Sequence, residues 1–243
     1  MTLFRGVVIL VASATVAVAG QPRDLPSLTR ALDDAVRSYD TSAATVVLSE
    51  ARVALSSSSS PQLAELHARA ALAVTELLRI EFEGLPQGEA ERRRLLGLRI
   101  DAAAEDGLHV LDGLPETSEL QRIRADLIAT MIRSDFRAKK YEQEFRTAVG
   151  RALELDQSNA RAWVSSAKPY LFAEPEQGGD VAEAVRRLDR ALELDPRLES
   201  ARLLRAVAHD KAGNQAAAER DWQAALRANP QCRPALDQLG SRP

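Results

Sequence analysis

One cysteine, Cys232, occurs in 243 residues, so no internal disulfide can form. Aromatic residues make up only 4% of the chain, which leaves few ring faces on which the bases of a single strand could stack. A surplus of positive charge is lacking too. Lys and Arg number 32 against 35 Asp and Glu, and a chain of net negative charge does not favour a phosphate backbone. No nucleic-acid partner is therefore expected. Also absent are a nucleophile elbow, a glycine-rich phosphate loop and any cysteine-histidine pairing close in sequence. His67, His109 and His209 stand alone on separate predicted helices, without the i, i+4 partner that a helical metal site uses. No catalytic set, metal or cofactor is expected, and His209 reads as a packing residue. The basic run Arg92, Arg93 and Arg94 beside Glu89 and Glu91 reads as a solvated helix face.

The first twenty residues are MTLFRGVVILVASATVAVAG. One positive charge at Arg5, an apolar run from Val7, and small residues at Ala17 and Ala19 spaced for signal peptidase form a secretory leader. The apolar run is shorter than the roughly 20 residues that cross a bilayer. Residues 1–20 are accordingly expected to be removed as a signal peptide, leaving a protein with no membrane span in a periplasmic or secreted location. Export usually brings paired cysteines, so the lone Cys232, close to a predicted helix N-terminus where the dipole lowers a thiol pKa, reads as a passive residue or a reactive one.

Periodicity organises the rest. ALELDP ends at Pro196 and ALRANP at Pro230, 34 residues later, while ALELDQ ends at Gln157. That spacing is the length of a helix-turn-helix repeat. Within it, Ala184, Leu188 and Ala191 recur as Ala218, Trp222 and Ala225, and again as Ala44, Leu48 and Ala51. Offsets of four and three put each trio on one helix face, where the alanines let a neighbouring helix approach and the larger residue fills the gap. Leu28, Ala31, Leu32 and Ala35 form a matching stripe, as do Trp163, Ala167 and Tyr170.

On these residues the chain resembles the tetratricopeptide repeat (TPR) family, in particular its exported bacterial members. The resemblance is close in AWVSSAKPY (162–170) with AVRRLDRALELDP (184–196), and in AAAERDWQAALRANP (216–230); LDQLG (236–240) looks like the start of a further first helix. It implies an all-α, right-handed solenoid of about five helical hairpins with a C-terminal capping helix. Divergent hairpins would fill 21–156, and two recognisable repeats with the cap would fill 157–243. The second hairpin is enlarged, with GLPQG at 84–88 breaking two long amphipathic segments. The serine run at 56–60 reads as a joint, with Ser60 as N-cap and Pro61 in the first turn of the next helix.

The resemblance further implies a non-enzymatic scaffold that binds a protein or peptide in a concave groove lined by the first helix of each pair. By register from Trp163 the groove positions are Arg161, Val164, Lys168 and Leu171, then Ser200, Leu203, Val207 and Asp210. Replacing Arg161 and Lys168 by alanine is expected to weaken capture and to leave the melt unchanged. The Lys and Asn set of the family's carboxylate clamp is missing. A second reading, from a weaker similarity to the TPR-like accessory components of TRAP transporters, is a small-ligand-binding protein whose pocket is framed by the enlarged hairpin and by Pro169.

The segment SAKPYLFAEPEQGGDVAEA (166–184) interrupts the repeat. Gly178 and Gly179 give a sharp turn, and Asp180 with Glu183 forms a capping box that excludes an anion from the same amides. Pro169 removes a helix hydrogen bond and crowds the carbonyl of Ser165, at a cost of about 3 kcal/mol. Either the resulting kink joins the helix to the longer turn or it bares that carbonyl to the groove.

Overall fold

The computed structural model describes residues 23–240, and the expected signal peptide lies outside them. Helix starts follow the short polar residues. Asp24, Asp40, Ser60, Thr117, Ser134, Asn159, Asp180 and Asn214 each accept, through the side chain, a backbone N–H three residues on. Such a cap satisfies one of the four free amides of a helix start and contributes about 1 kcal/mol. Ser60 followed by Pro61 behaves as the sequence predicts.

Eleven α-helices form among the described residues, in five consecutive hairpins and one further helix. They are α1 (Leu25–Arg37) with α2 (Thr41–Ser56), α3 (Pro61–Glu83) with α4 (Ala90–Leu111), and α5 (Ser118–Met131) with α6 (Asp135–Leu155). Then follow α7 (Ala160–Phe172) with α8 (Val181–Leu194), α9 (Glu199–Lys211) with α10 (Gln215–Ala228), and α11 (Arg233–Gly240), which packs on α10. Each first helix also touches the first helix of the next hairpin, α1 with α3, α3 with α5, α5 with α7 and α7 with α9. Helices α1, α3, α5, α7 and α9 thus form one wall of a helical-hairpin solenoid, each with its hairpin partner packed against it.

The small-large-small trios are the seams of this stack. Ala184, Leu188, Ala191, Ala218, Ala225, Ala44 and Ala51 are all fully buried, and Trp222 and Leu48 nearly so. Burying each large side chain contributes about 1.5–3 kcal/mol, and the alanines bring the backbones close enough for it to fill the space between them. In the enlarged hairpin a glycine does the same work. A Cβ on Gly107 of α4 would lie 2.8 Å from Ala71 Cβ of α3 and 2.9 Å from Leu127 Cδ1 of α5.

Segment 166–184 resolves into α7, a 3-10 turn at Pro175–Gln177, and α8. Gly178 takes φ +91°, and Asp180 N–H reaches back to the carbonyl of Tyr170 at 2.9 Å. Asp180 caps α8 through Glu183 N–H at 3.0 Å, but no capping box closes. The Glu183 carboxylate pairs with Arg186 and Arg187 on the next turn. Helix α7 runs on through Pro169 to Phe172. Ser165 is fully buried, so the carbonyl crowded by Pro169 is not bared to any groove.

The two ends of the described chain meet. Tyr39, in the turn between α1 and α2, donates its hydroxyl to Glu199 Oε1 at 2.5 Å and lies 3.5 Å from Cys232 Sγ. Asn229 Nδ2 donates to the carbonyl of Arg37 at 3.0 Å. The first hairpin therefore meets α9, α10 and α11, and the solenoid closes on itself. Tyr39 is the one described non-glycine residue at positive φ, +56°. Its place in the turn corresponds to Gly213 (φ +75°) between α9 and α10, with the same reach back from the next residue: Asp40 N–H to Ala35 and Asn214 N–H to His209. A tyrosine there costs roughly 1–2 kcal/mol over glycine, offset by what its side chain makes across the seam.

Candidate partner groove

The concave side encloses a space of about 1850 Å³ lined by α1, α3, α5, α7 and α9, with residues of α6 and α10 contributing. Its lining along α1, α3 and α9 is mixed: Val36, Leu203 and Val207 stand among Asp33, Arg69, Glu76, Arg79 and Arg202, with Leu32, Leu72 and Leu77 packed in the core beneath. Of the groove positions predicted from register, Arg161, Val164, Lys168, Ser200, Leu203 and Val207 all line this cavity. Arg161 and Ser200 are exposed, Lys168, Leu203 and Val207 half-buried, and Val164 buried in the wall.

Two predicted positions are placed elsewhere. Leu171 is 1% exposed and sits in the core with Leu188 and Ala208, because α7 turns its far end under α8 and α9. Asp210 is half-buried and accepts the indole N–H of Trp222 at 3.2 Å, which fixes it to α10.

Lys168 has a structural task that register alone did not reveal. Its Nζ donates to Asp126 Oδ1 at 2.6 Å, and Arg122 Nη1 donates to Asp126 Oδ2 at 2.7 Å. Ser165 Oγ adds a third donor at 2.8 Å, while Arg122 also grips Glu119 through two nitrogens. Burial would raise the Asp126 carboxyl; Lys168 and Arg122 outweigh it and hold the group below the ordinary carboxylate range. This network ties α5 to α7 on the cavity wall, so Lys168→Ala is not neutral for stability as the sequence suggests. Its signal was Arg122 and Asp126 at i, i+4 on a helix, a pair that in sequence reads as a solvated one.

Glu76 of α3 lies beside this network and makes no hydrogen bond or ion pair of its own among the described residues. Its surface is open to the cavity, yet the surrounding walls displace bulk water and push its carboxyl up, an effect Lys168 opposes and Asp126 reinforces.

The lone thiol is settled by its surroundings. Cys232 is fully buried beneath Tyr39, and burial pushes its pKa up to about 11. Burial thus opposes the lowering that a helix N-terminus would give, and favours the passive reading of this thiol over the reactive one. His67, expected to stand alone, is buried with Nε2 2.6 Å from Asp106 Oδ2 on α4. Asp106 in turn accepts from Arg52 of α2 at 2.7 Å, which makes His67 a core tie between helices.

Among the described residues no helix is long and apolar enough to cross a membrane. The fold is that of a TPR-like helical solenoid. Neither a protein-family profile nor a curated protein matches the chain. Among solved structures it is similar to TTC0263, a thermophilic TPR protein of Thermus thermophilus, at TM-score 0.61 and 17% identity over 88% of this chain and 97% of that one. A looser likeness, TM-score 0.42 and 13% identity over 89% of this chain and 100% of the other, is to YrrB, described as a TPR protein with an unusual peptide-binding site.

Proposed function

We propose that the protein is an exported, non-enzymatic scaffold that binds a protein or peptide partner in its concave groove. The observation that carries this reading is the groove itself. The five first helices contribute to one continuous lining of mixed apolar and polar residues, and the space is about 1850 Å³. Small-molecule pockets run to roughly 300–1,000 Å³, so the cavity matches a length of polypeptide better than a transporter's small solute. The apolar residues would take side chains of the partner, and Lys168, Arg161 and Glu76 would meet its polar groups.

The test is capture from the native envelope fraction with the protein and with a groove variant, V36E with S200E. Both positions are exposed and line the cavity, so the change in stability should stay within about 0.5 kcal/mol. The expected result is loss of the captured proteins from the variant at an unchanged melt. Equal capture by the folded variant would sink the reading. Export is tested separately by the N-terminal sequence of the protein recovered from its own cells, expected to begin at or next to Gly20.

A further inference from the structure

Closing the solenoid brings together three arginines far apart in the chain. Arg37 supplies the carbonyl that Asn229 holds across the seam, Arg197 lies two residues before Glu199, and Arg227 lies two residues before Asn229. All three are exposed and all three line the cavity.

They differ from the other cations of the lining in having no partner. Arg69 pairs with Asp33, Arg79 with Glu83, and Lys168 with Asp126. Arg202 donates to the carbonyl of Pro196 at 2.7 Å. The side chains of Arg37, Arg197 and Arg227 make no hydrogen bond or ion pair among the described residues. The neighbouring carboxylates do not supply one. Glu199 accepts from Tyr39, and Asp195 accepts the backbone N–H of Arg197. Arg37 and Arg227 each complement the dipole of the helix they end, which explains a basic residue at either place. It does not explain Arg197 in a loop, nor three free guanidinium groups facing one space in a chain of net negative charge.

We propose that the seam end of the groove is an acidic-peptide site, in which Arg37, Arg197 and Arg227 take carboxylates of the bound segment while Val36 and Leu203 take its apolar side chains. The proposal rests on the groove reading above and gives it a ligand class. Guanidinium forks match carboxylates bidentately. Exposed apolar side chains such as Val36 beside the arginines suit a polypeptide and do not suit a polyphosphate. Because the arginines come from both ends of the solenoid, the site exists only while the seam is closed.

The experiment uses three fluorescein-labelled peptides with one shared pattern of leucines and with Glu, Gln or Lys at every other position, read by anisotropy. The Glu peptide is expected to bind about tenfold tighter than the Gln peptide at low salt, the Lys peptide weakest, and the difference to shrink as salt screens the charges. R37Q with R197Q and R227Q should remove the preference and leave the Gln peptide's affinity unchanged. Tyr39→Ala, which opens the seam, should remove it also with every arginine in place. Equal binding of the three peptides by the wild-type protein, or a preference that survives the triple substitution, overturns the acidic-peptide site and leaves the groove reading standing. Failure of all three peptides to bind the folded protein overturns it as well, and the groove reading is then decided by capture from the envelope fraction alone.

Discussion

Tyr39 and Glu199 lie 160 positions apart in the chain, and their side chains meet at 2.5 Å. Removing the hydroxyl with Tyr39→Phe leaves a half-buried carboxylate without its donor, at a cost of about 1–3 kcal/mol. Tyr39→Ala also removes the ring that covers Cys232. Alkylation of the single thiol by iodoacetamide therefore reports on closure. It should be slow in the native wild type, where burial and a pKa of about 11 both oppose it, and faster in Tyr39→Ala at temperatures well below the melt. An unchanged rate would show that Tyr39 does not hold the seam.

The Asp126 network gives a stability prediction of a different size. Asp126→Ala strands Lys168 and the buried Arg122 without their common acceptor, and breaking a buried pair in this way costs about 3–5 kcal/mol. Lys168→Met removes one donor of several and leaves Arg122 in place, so its cost is smaller. Thermal or denaturant melts of the two variants should fall in that order, and a smaller loss for Asp126→Ala would show the network to be a surface feature.

The same residues set a pH dependence with two opposed signs. The Asp126 carboxyl is depressed on folding, so its contribution is present above the unfolded pKa and is lost as pH falls through the lower folded one. Glu76 is raised on folding, so the folded state takes up its proton first and gains relative stability as pH falls through that raised value. In melts taken across the acidic range, Asp126→Asn should start lower than wild type and decline less steeply in the most acid part. Glu76→Gln should be at least as stable as wild type near neutrality and lose that advantage on mild acidification. Parallel curves for wild type and both variants would refute the assignment.

The turn before α8 is constrained by backbone, and the constraint singles out one of its two glycines. A Cβ on Gly179 would sit 2.1 Å from the carbonyl oxygen of Ala173, whereas one on Gly178 would meet nothing within 4 Å and only suffer its positive φ. Gly178→Ala should cost about 1 kcal/mol. Gly179→Ala forces the turn itself to move and should cost clearly more, with loss of protection of the Asp180 amide in hydrogen exchange as the local sign.

Much of the architecture is legible residue by residue. Ser60 before Pro61, Asp180 after two glycines, and the trios at Ala184, Leu188 and Ala191 or Ala218, Trp222 and Ala225 are local or period-bound signals, and each occupies the place its chemistry requires. Six of the eight positions expected from helical register, Arg161, Val164, Lys168, Ser200, Leu203 and Val207, line the groove. Leu171 and Asp210 depart from it because register assumes straight helices in equivalent repeats. Helix α7 carries Pro169 and a long turn that bring its end under α8 and α9, and Asp210 is drawn to the indole of Trp222.

By itself the sequence determined the class of structure, because a repeat that buries one helix face against the next copy needs only neighbouring residues to specify it. What only tertiary structure decided lies between residues far apart in the chain. Asp126 finds Lys168 across two helices, Cys232 is covered by Tyr39, and three arginines distant in sequence line one space. The superhelical path that closes the solenoid accumulates from small rotations at every hairpin, and no single stretch of sequence records that sum.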